Sequence, residues 1–222
     1  MKKRLALIHT VHWYTKSVIE PFAKPWQAEN PGVELINLMD DSLLSDSLAN
    51  GGPTEAVLDR LVSYIRAAER AGADAIMVTC TTVGEASRRA RPLVSVPVFN
   101  IDEPMAREAV QRGNVLGILA TVPTSAPATR YLLETEAAAL GKPVEIHAVI
   151  NEEAFQRLLA GDRAGHDELV RAELDRLAGY VDVIVLGQIS LSQIRHECRV
   201  PILQVGHSGF AEAKRLLQPV EA

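Results

Sequence analysis

The amino-acid sequence predicts an α/β fold made of two duplicated domains, each with a parallel sheet. Short apolar runs alternate with longer amphipathic stretches along the chain, which is typical of strands that alternate with helices. The apolar runs are nearly continuous, as expected for strands that helices cover on both faces. The same runs also recur in the same order in the two halves of the chain.

Eight apolar runs are expected to form the strands. In chain order they are residues 5–8, 33–36, 75–78, 96–99, 115–120, 144–149, 181–186 and 202–205. Between them, apolar residues recur at helical spacing from Pro53 to Gly72 and again at 169–177. Asp102 and Pro104 mark a further helix start, because acidic N-caps and first-turn prolines are common there.

Four of the runs repeat with a nearly constant offset. Residues 5–10 match 116–121, 33–36 match 144–147, 74–80 match 182–188, and 96–98 match 200–202. One such match could arise by chance, since buried strands look alike, but four in order indicate two halves of one fold.

The duplication predicts two domains, residues 1–100 plus 206–222 and residues 101–205. We expect them to be related by a pseudo-two-fold, with the active site in the cleft between them. Ligands of open parallel sheets bind at the carboxyl ends of the strands. That rule places Thr10, Cys80, Thr121 and Gln188 at one ligand-binding cleft.

Composition narrows the class of protein. A hydrophobic fraction of 47% and a charged fraction of 23% are ordinary for a globular protein, and a net charge of -5 argues against a nucleic-acid partner. No apolar run approaches the length of a membrane span, and the run at 5–8 is too short for a signal peptide. Two cysteines are too few for a disulfide scaffold, so we expect a cytoplasmic protein.

Cys80 is the candidate reactive residue. It follows an apolar strand and precedes a polar segment, 81–85, that could open a helix. A thiol at a helix N-terminus has its thiolate favoured by the backbone N–H groups. The alternative, which the residues alone leave open, is a buried structural cysteine.

Four segments resemble the aspartate, glutamate and hydantoin racemase superfamily. Residues 74–82 resemble the first cysteine motif, 98–104 the crossing into the second half, 117–124 the threonine-rich carboxylate loop, and 183–188 the strand that bears the second cysteine. The resemblance extends over essentially the whole chain. It implies that a final helix near 210–217 packs back on the first half.

In that family two thiols face each other across the substrate α-carbon, and they move its proton without a cofactor. The resemblance assigns Cys80 to the first thiol position, whereas Gln188 stands at the second. A glutamine amide cannot act as a general acid or base. Cys198 lies ten residues too late for that position, and we expect a structural role for it.

The resemblance implies a cofactor-independent isomerase, racemase-like or lyase enzyme that acts at the carbon next to a carboxylate. Relatives with one cysteine, the arylmalonate decarboxylases, protonate a carbanion from one side, and maleate isomerases also belong to the superfamily. A non-catalytic carboxylate-binding protein with an inert Cys80 is the alternative of a different class. Family members are often dimers, so a homodimer or higher homo-oligomer is compatible with the resemblance.

Hydroxyl and imidazole side chains complete the candidate site. Thr121 and Thr124 are expected to bind a carboxylate, with helix capping as the alternative. The remaining candidates for substrate contact are Thr10, Thr81, Thr82, Ser190, His9 and His207. Either histidine could supply the proton donor that Gln188 cannot.

No metal or cofactor is expected. His9 and His12 lack further ligands at metal-binding spacing, and no phosphate-binding glycine motif follows a strand. His166 and His196 stand in polar segments and are expected to be solvated. The expected partner is therefore a small carboxylate substrate.

Overall fold

The computed structural model describes residues 2–218 and shows two compact units. The first unit runs to Ile101 and resumes at Gly206, and the second is Asp102–Val205. Each unit contains one four-stranded sheet with flanking helices. Two α/β domains with parallel sheets are what the sequence predicts, so the predicted fold class is confirmed.

In the first unit, strands and helices alternate along the chain. The strands are β1 (Lys3–His9), β2 (Val33–Met39), β3 (Ala75–Val78) and β4 (Val98–Asn100). The helices are α1 (Lys24–Glu29), α2 (Ser42–Ala49), α3 (Glu55–Arg70) and α4 (Gly84–Ala90). A π-helix at Thr15–Ala23 precedes α1, and 3₁₀ turns at Thr81–Val83 and Arg91–Leu93 flank α4.

The second unit repeats this alternation. Its strands are β5 (Val115–Ala120), β6 (Glu145–Ile150), β7 (Val183–Leu186) and β8 (Ile202–Gln204). Its helices are α5 (Glu103–Arg112), α6 (Ser125–Ala139), α7 (Glu152–Leu159) and α8 (Arg163–Leu177), with a 3₁₀ turn at Ile189–Leu191. The last helix, α9 (Val205–Leu217), returns the chain to the first unit. No helix within residues 2–218 is long and apolar enough to cross a membrane.

The two sheets have the same strand order. It is β2-β1-β3-β4 in the first unit and β6-β5-β7-β8 in the second, and all paired strands are parallel. Each strand therefore occupies the place of its sequence match in the other unit.

The strands differ in how deeply they are buried. The inner strands β3 and β7 are apolar and buried at every residue, because helices cover both faces of the sheet. The edge strands β2 and β6 contain no fully buried residue and alternate between half-buried and exposed positions over much of their length. The other edge strand of the first sheet, β4, is buried at every residue, so an edge position does not by itself expose a strand.

The helices on these sheets bury one apolar stripe each. In α3 the stripe is Val57, Leu58, Leu61, Ile65 and Ala68, and it packs into the core of the first unit. The helix begins at Thr54, whose side chain accepts a hydrogen bond from the Val57 N–H. In the second unit, α8 begins at Asp162, whose side chain accepts a hydrogen bond from the Gly165 N–H.

The π-helix at Thr15–Ala23 is an element that the sequence does not predict. It contains Pro21, which has no N–H to donate and whose ring crowds the preceding turn of an ordinary α-helix. A wider turn relieves this crowding, and single-turn π segments are often found near functional sites. This one follows the end of β1 and leads directly into α1.

The expectation that His166 is solvated is wrong. His166 is fully buried in α8, and its Nδ1 lies 2.7 Å from the Asp167 carboxylate. It stands one helical turn before the buried Val170 and so belongs to the inward stripe of the helix. His196 is half-buried and lies 2.7 Å from the Asp175 carboxylate, so it is not fully solvated either.

The helix α9 packs on the first unit, as the resemblance implies. The Phe210 ring lies 5.6 Å from the Trp26 ring between centroids. Gly206 lies directly against the Phe22 ring, where a Cβ would overlap the ring atoms at 2.5 Å. The absence of a side chain at Gly206 therefore lets α9 approach the π-helix closely.

Candidate functional site

The carboxyl ends of β3 and β7 hold the two predicted central residues, Cys80 and Gln188. Cys80 follows β3 after one residue, and Gln188 follows β7 after one residue. Both have extended backbones, with φ and ψ of −142° and 120° at Cys80 and −125° and 136° at Gln188. Each residue is also the N-cap of a 3₁₀ turn. The two positions therefore have the same local structure in the two units.

The Cys80 backbone is held by the next strand of its sheet. The side-chain amide of Asn100, at the end of β4, donates a hydrogen bond of 3.2 Å to the Cys80 carbonyl oxygen. Cys80 itself is half-buried, whereas Thr81 and Thr82 behind it are buried. The thiol therefore belongs to a fixed strand end, and solvent reaches part of the residue.

His9 lies at the same edge of the first sheet, at the end of β1. Its Nδ1 is 3.0 Å from the Thr79 hydroxyl, its Nε2 is 2.9 Å from the Asn37 side-chain oxygen, and its ring stacks on Tyr14 at 4.2 Å. Burial lowers the pKa of His9 to about 4, although the hydrogen bond to Asn37 opposes this shift. His9 is therefore neutral near pH 7.

A single neutral tautomer satisfies these contacts. If Nε2 bears the proton, it donates to the Asn37 oxygen, and Nδ1 accepts from the Thr79 hydroxyl. The Thr79 hydroxyl also lies 3.1 Å from the Ile8 carbonyl oxygen, which is a second acceptor for its single hydrogen. Through Nδ1 the ring contacts Thr79, the residue before Cys80, and through Nε2 it contacts Asn37 on β2.

Gln188 makes the most closely defined contacts in the second unit. Its side-chain oxygen accepts hydrogen bonds from the backbone N–H groups of Thr121 at 2.6 Å and Val122 at 3.2 Å. Its side-chain nitrogen donates to the Thr121 hydroxyl at 3.3 Å. Thr121 is fully buried and Gln188 nearly so. The Thr121 N–H and hydroxyl are therefore both hydrogen-bonded to Gln188.

The other predicted residues divide into two groups. Thr10 is buried directly after β1, and Ser190 is buried in the 3₁₀ turn after Gln188, so both lie at strand ends. Thr124 is half-buried at the N-cap position of α6. His207 is exposed on α9, with its ring edge-on to Phe22 at 5.2 Å.

His207 lines a surface cavity of the first unit. This cavity has a volume of about 330 Å³ and lies between the π-helix, α1 and α9. Its aromatic wall is formed by Phe22, Trp26 and Phe210.

Three polar residues of the first unit were not among the predicted site residues. Asn100 holds the Cys80 carbonyl, and Asn37 and Thr79 hold the His9 ring. The sequence could have identified Asn100 and Thr79, since each is a polar residue at the end of an apolar strand. It could not have identified Asn37, because Asn37 lies within an edge strand where polar residues are common.

Within residues 2–218, no group of three or more histidine, cysteine or acidic side chains is placed to hold a metal ion. The predicted site residues at the strand ends instead carry thiol, hydroxyl, imidazole and amide groups. Such groups can hold a small organic anion or carbonyl compound and can exchange a proton with it.

Solved structures of three racemases have the same fold. Aspartate racemase from Picrophilus torridus matches with a TM-score of 0.70 at 14% identity, over 96% of this chain and 93% of that chain. A glutamate racemase from Bacillus anthracis matches with a TM-score of 0.72 at 17% identity, over 97% of this chain and 82% of that chain. Allantoin racemase from Klebsiella pneumoniae matches with a TM-score of 0.70 at 22% identity, over 97% of this chain and 87% of that chain. Among curated proteins no sequence matches.

The fold and its strand-end residues define the chain as a racemase-superfamily enzyme. A family model described as Asp/Glu/Hydantoin racemase matches residues 15–213. The chain belongs to the Asp/Glu/hydantoin racemase family.

Proposed function

We propose that this enzyme acts without a cofactor at the carbon next to a carboxylate, and that Cys80 is its acid/base. The observation that supports this most directly is the position of Cys80, half-buried at a strand end with its backbone held by Asn100. Buried hydroxyl residues, Thr81 and Thr82, follow it and are proposed to bind the substrate together with Thr10.

The proposed step is a proton transfer at carbon. The Cys80 thiolate takes the α-proton, so that the C–H bond breaks and an S–H bond forms. The electron pair of the broken bond moves into the carboxylate, which becomes an enediolate. Return of the proton from the thiol to carbon regenerates the thiolate, and in deuterated water the label enters at this stage.

We propose that proton transfer occurs on one face only. Gln188 stands where the family has its second thiol, and an amide cannot exchange protons at this carbon. His9 does not replace it, because His9 is neutral near pH 7 and both its ring nitrogens are hydrogen-bonded. His207 is exposed on α9, with its ring edge-on to Phe22 at 5.2 Å. These observations favour one-sided isomerase, lyase or decarboxylase chemistry over racemisation.

The test is deuterium exchange in D₂O with single enantiomers of candidate carboxylic acids, followed by NMR and chiral chromatography. We expect exchange at the α-carbon with retained configuration. Cys80→Ala should reduce the exchange rate by more than about tenfold, which corresponds to about 1.4 kcal/mol of transition-state stabilisation. Cys198→Ser is the matched control, because Cys198 packs against the core of the second unit.

Other outcomes would point elsewhere. Rapid racemisation of an amino acid by the wild-type protein would require a second base and would contradict the one-sided proposal. Carboxylate binding without exchange, together with a Cys80 that is not alkylated near neutral pH, would indicate a binding protein. If Cys80→Ala and Cys198→Ser lowered the exchange rate equally, Cys80 could not be assigned as the acid/base.

A further inference from the structure

Two backbone N–H groups after β5 converge on one acceptor. They belong to Thr121 and Val122, which we call the amide pair, and they donate to the Gln188 side-chain oxygen at 2.6 and 3.2 Å. Converging backbone N–H groups just before a helix are a common place for a carboxylate or phosphate oxygen. Here the acceptor comes from the protein itself and is uncharged.

We infer that Gln188 determines the substrate specificity of this strand end by closing the amide pair to carboxylates. The inference deepens the proposed function and rests on it in taking this strand end as substrate-facing. Thr121 was expected to bind a carboxylate, and here it is assigned instead to holding Gln188, which bonds to both its N–H and its hydroxyl.

The Gln188 side chain competes well with an anion in solution for the amide pair, because it is tethered to the same protein. Gln188 follows β7, which pairs with β5, so its side chain remains next to the amide pair at a high effective concentration. A free carboxylate must displace it before it can bind. The electrostatics of the pair favour a negative charge, since α6 begins at Ser125 with its positive dipole end nearby. Removal of the glutamine should therefore uncover an anion site.

Gln188 also determines what can bind in place of a carboxylate. Its described contacts use one of the two hydrogens on the side-chain nitrogen, the one donated to the Thr121 hydroxyl. The second hydrogen is a neutral donor that suits a carbonyl oxygen. A substrate that presents a neutral carbonyl, such as that of an amide, therefore suits Gln188 better than one that presents a carboxylate there.

The test compares anion binding by the wild-type protein, Gln188→Ala and Gln188→Glu. Sodium acetate is titrated into ¹⁵N-labelled protein, and the backbone N–H signals of Thr121 and Val122 are followed by NMR. We expect Gln188→Ala to bind acetate at the amide pair at least tenfold more tightly than the wild type. Gln188→Glu should bind no better than the wild type, because its own carboxylate then occupies the pair.

Gln188→Ser is a second opening variant, and an unchanged circular dichroism spectrum shows that each variant is folded. The inference is overturned if acetate shifts these two signals equally in the wild type and the opened variants, or if neither opened variant gains affinity. The measurement needs no turnover, so it is independent of the deuterium experiment. Exchange without a gain of acetate binding would leave the proposed function standing and reject this inference. A gain of acetate binding without exchange would reject the proposed function, and with it the role of Gln188 in substrate specificity, and would leave only the closing of the amide pair.

Discussion

His9 shows at the scale of one residue how burial determines chemistry. A histidine at the end of a strand resembles an acid/base candidate in the sequence. In the structure it has no exposed surface, and it bridges Asn37 and Thr79 through its two ring nitrogens. Because both nitrogens are used and the charged form is disfavoured, we assign His9 to positioning the strand end that bears Cys80.

Burial of His9 predicts a loss of stability at acid pH. The unfolded chain binds a proton at His9 near pH 6.5, whereas the folded chain does so only near pH 4. The stabilisation is therefore complete above about pH 6.5 and is lost as the pH falls towards 4. We expect the free energy of unfolding of the wild type to fall by about 2 kcal/mol more than that of His9→Gln between pH 7 and pH 5.

Urea unfolding of both proteins at the two pH values measures this difference. Carboxylates such as Asp40, whose pKa is lowered by hydrogen bonds from Ser42 and Tyr64 against the effect of burial, affect both proteins alike and cancel. Parallel pH profiles for the two proteins would show that folding does not lower the pKa of His9.

At the scale of elements, the end of β7 is fixed by its contact with α6. Gly187 lies so close to Thr129 that a Cβ would overlap the Thr129 hydroxyl. Thr129 is fully buried, so it has little room to move. The glycine therefore allows β7 and α6 to approach, and this contact places Gln188 beside Thr121.

Gly187→Ala should accordingly destabilise the protein by about 1–3 kcal/mol, as overpacking of a core usually does. Gly32→Ala is the matched control, because no atom lies within 4 Å of a Cβ at that position. The double variant Gly187→Ala with Thr129→Ala should lose less stability than the sum of the two single variants. Strict additivity in chemical denaturation would show that the two residues do not interact.

At the scale of the molecule, α9 joins the end of the chain to the first unit. Phe210 is 3% exposed and lies against Trp26, so the rings form part of the interface between α9 and α1. A buried phenylalanine replaced by alanine loses both apolar burial and packing.

Phe210→Ala should lower the free energy of unfolding by about 3 kcal/mol. Hydrogen exchange should accelerate in the π-helix and α1 while the amides of β5 and β7 remain protected. Leu159→Ala is the control, since Leu159 is 63% exposed and its loss should cost no more than about 0.5 kcal/mol. Equal acceleration in both units after the Phe210 change would contradict the local role of α9.

The sequence by itself determined the class of fold and the order of its strands. All eight strands lie where apolar runs occur, because burial between helices on both faces demands apolar residues at successive positions. The repeat of those runs indicated the duplication, and polar residues directly after them located the strand ends at Cys80 and Gln188. These properties are local, so they remain visible in one dimension.

The tertiary structure decided what those strand-end residues do. Gln188 turned out to hold the Thr121 and Val122 N–H groups, and His166 turned out to be buried. Asn37, 28 residues from His9 in the chain, holds the His9 ring. A hydrogen bond depends on the distance and direction between groups that the fold brings together from distant segments, so neither composition nor periodicity contains it.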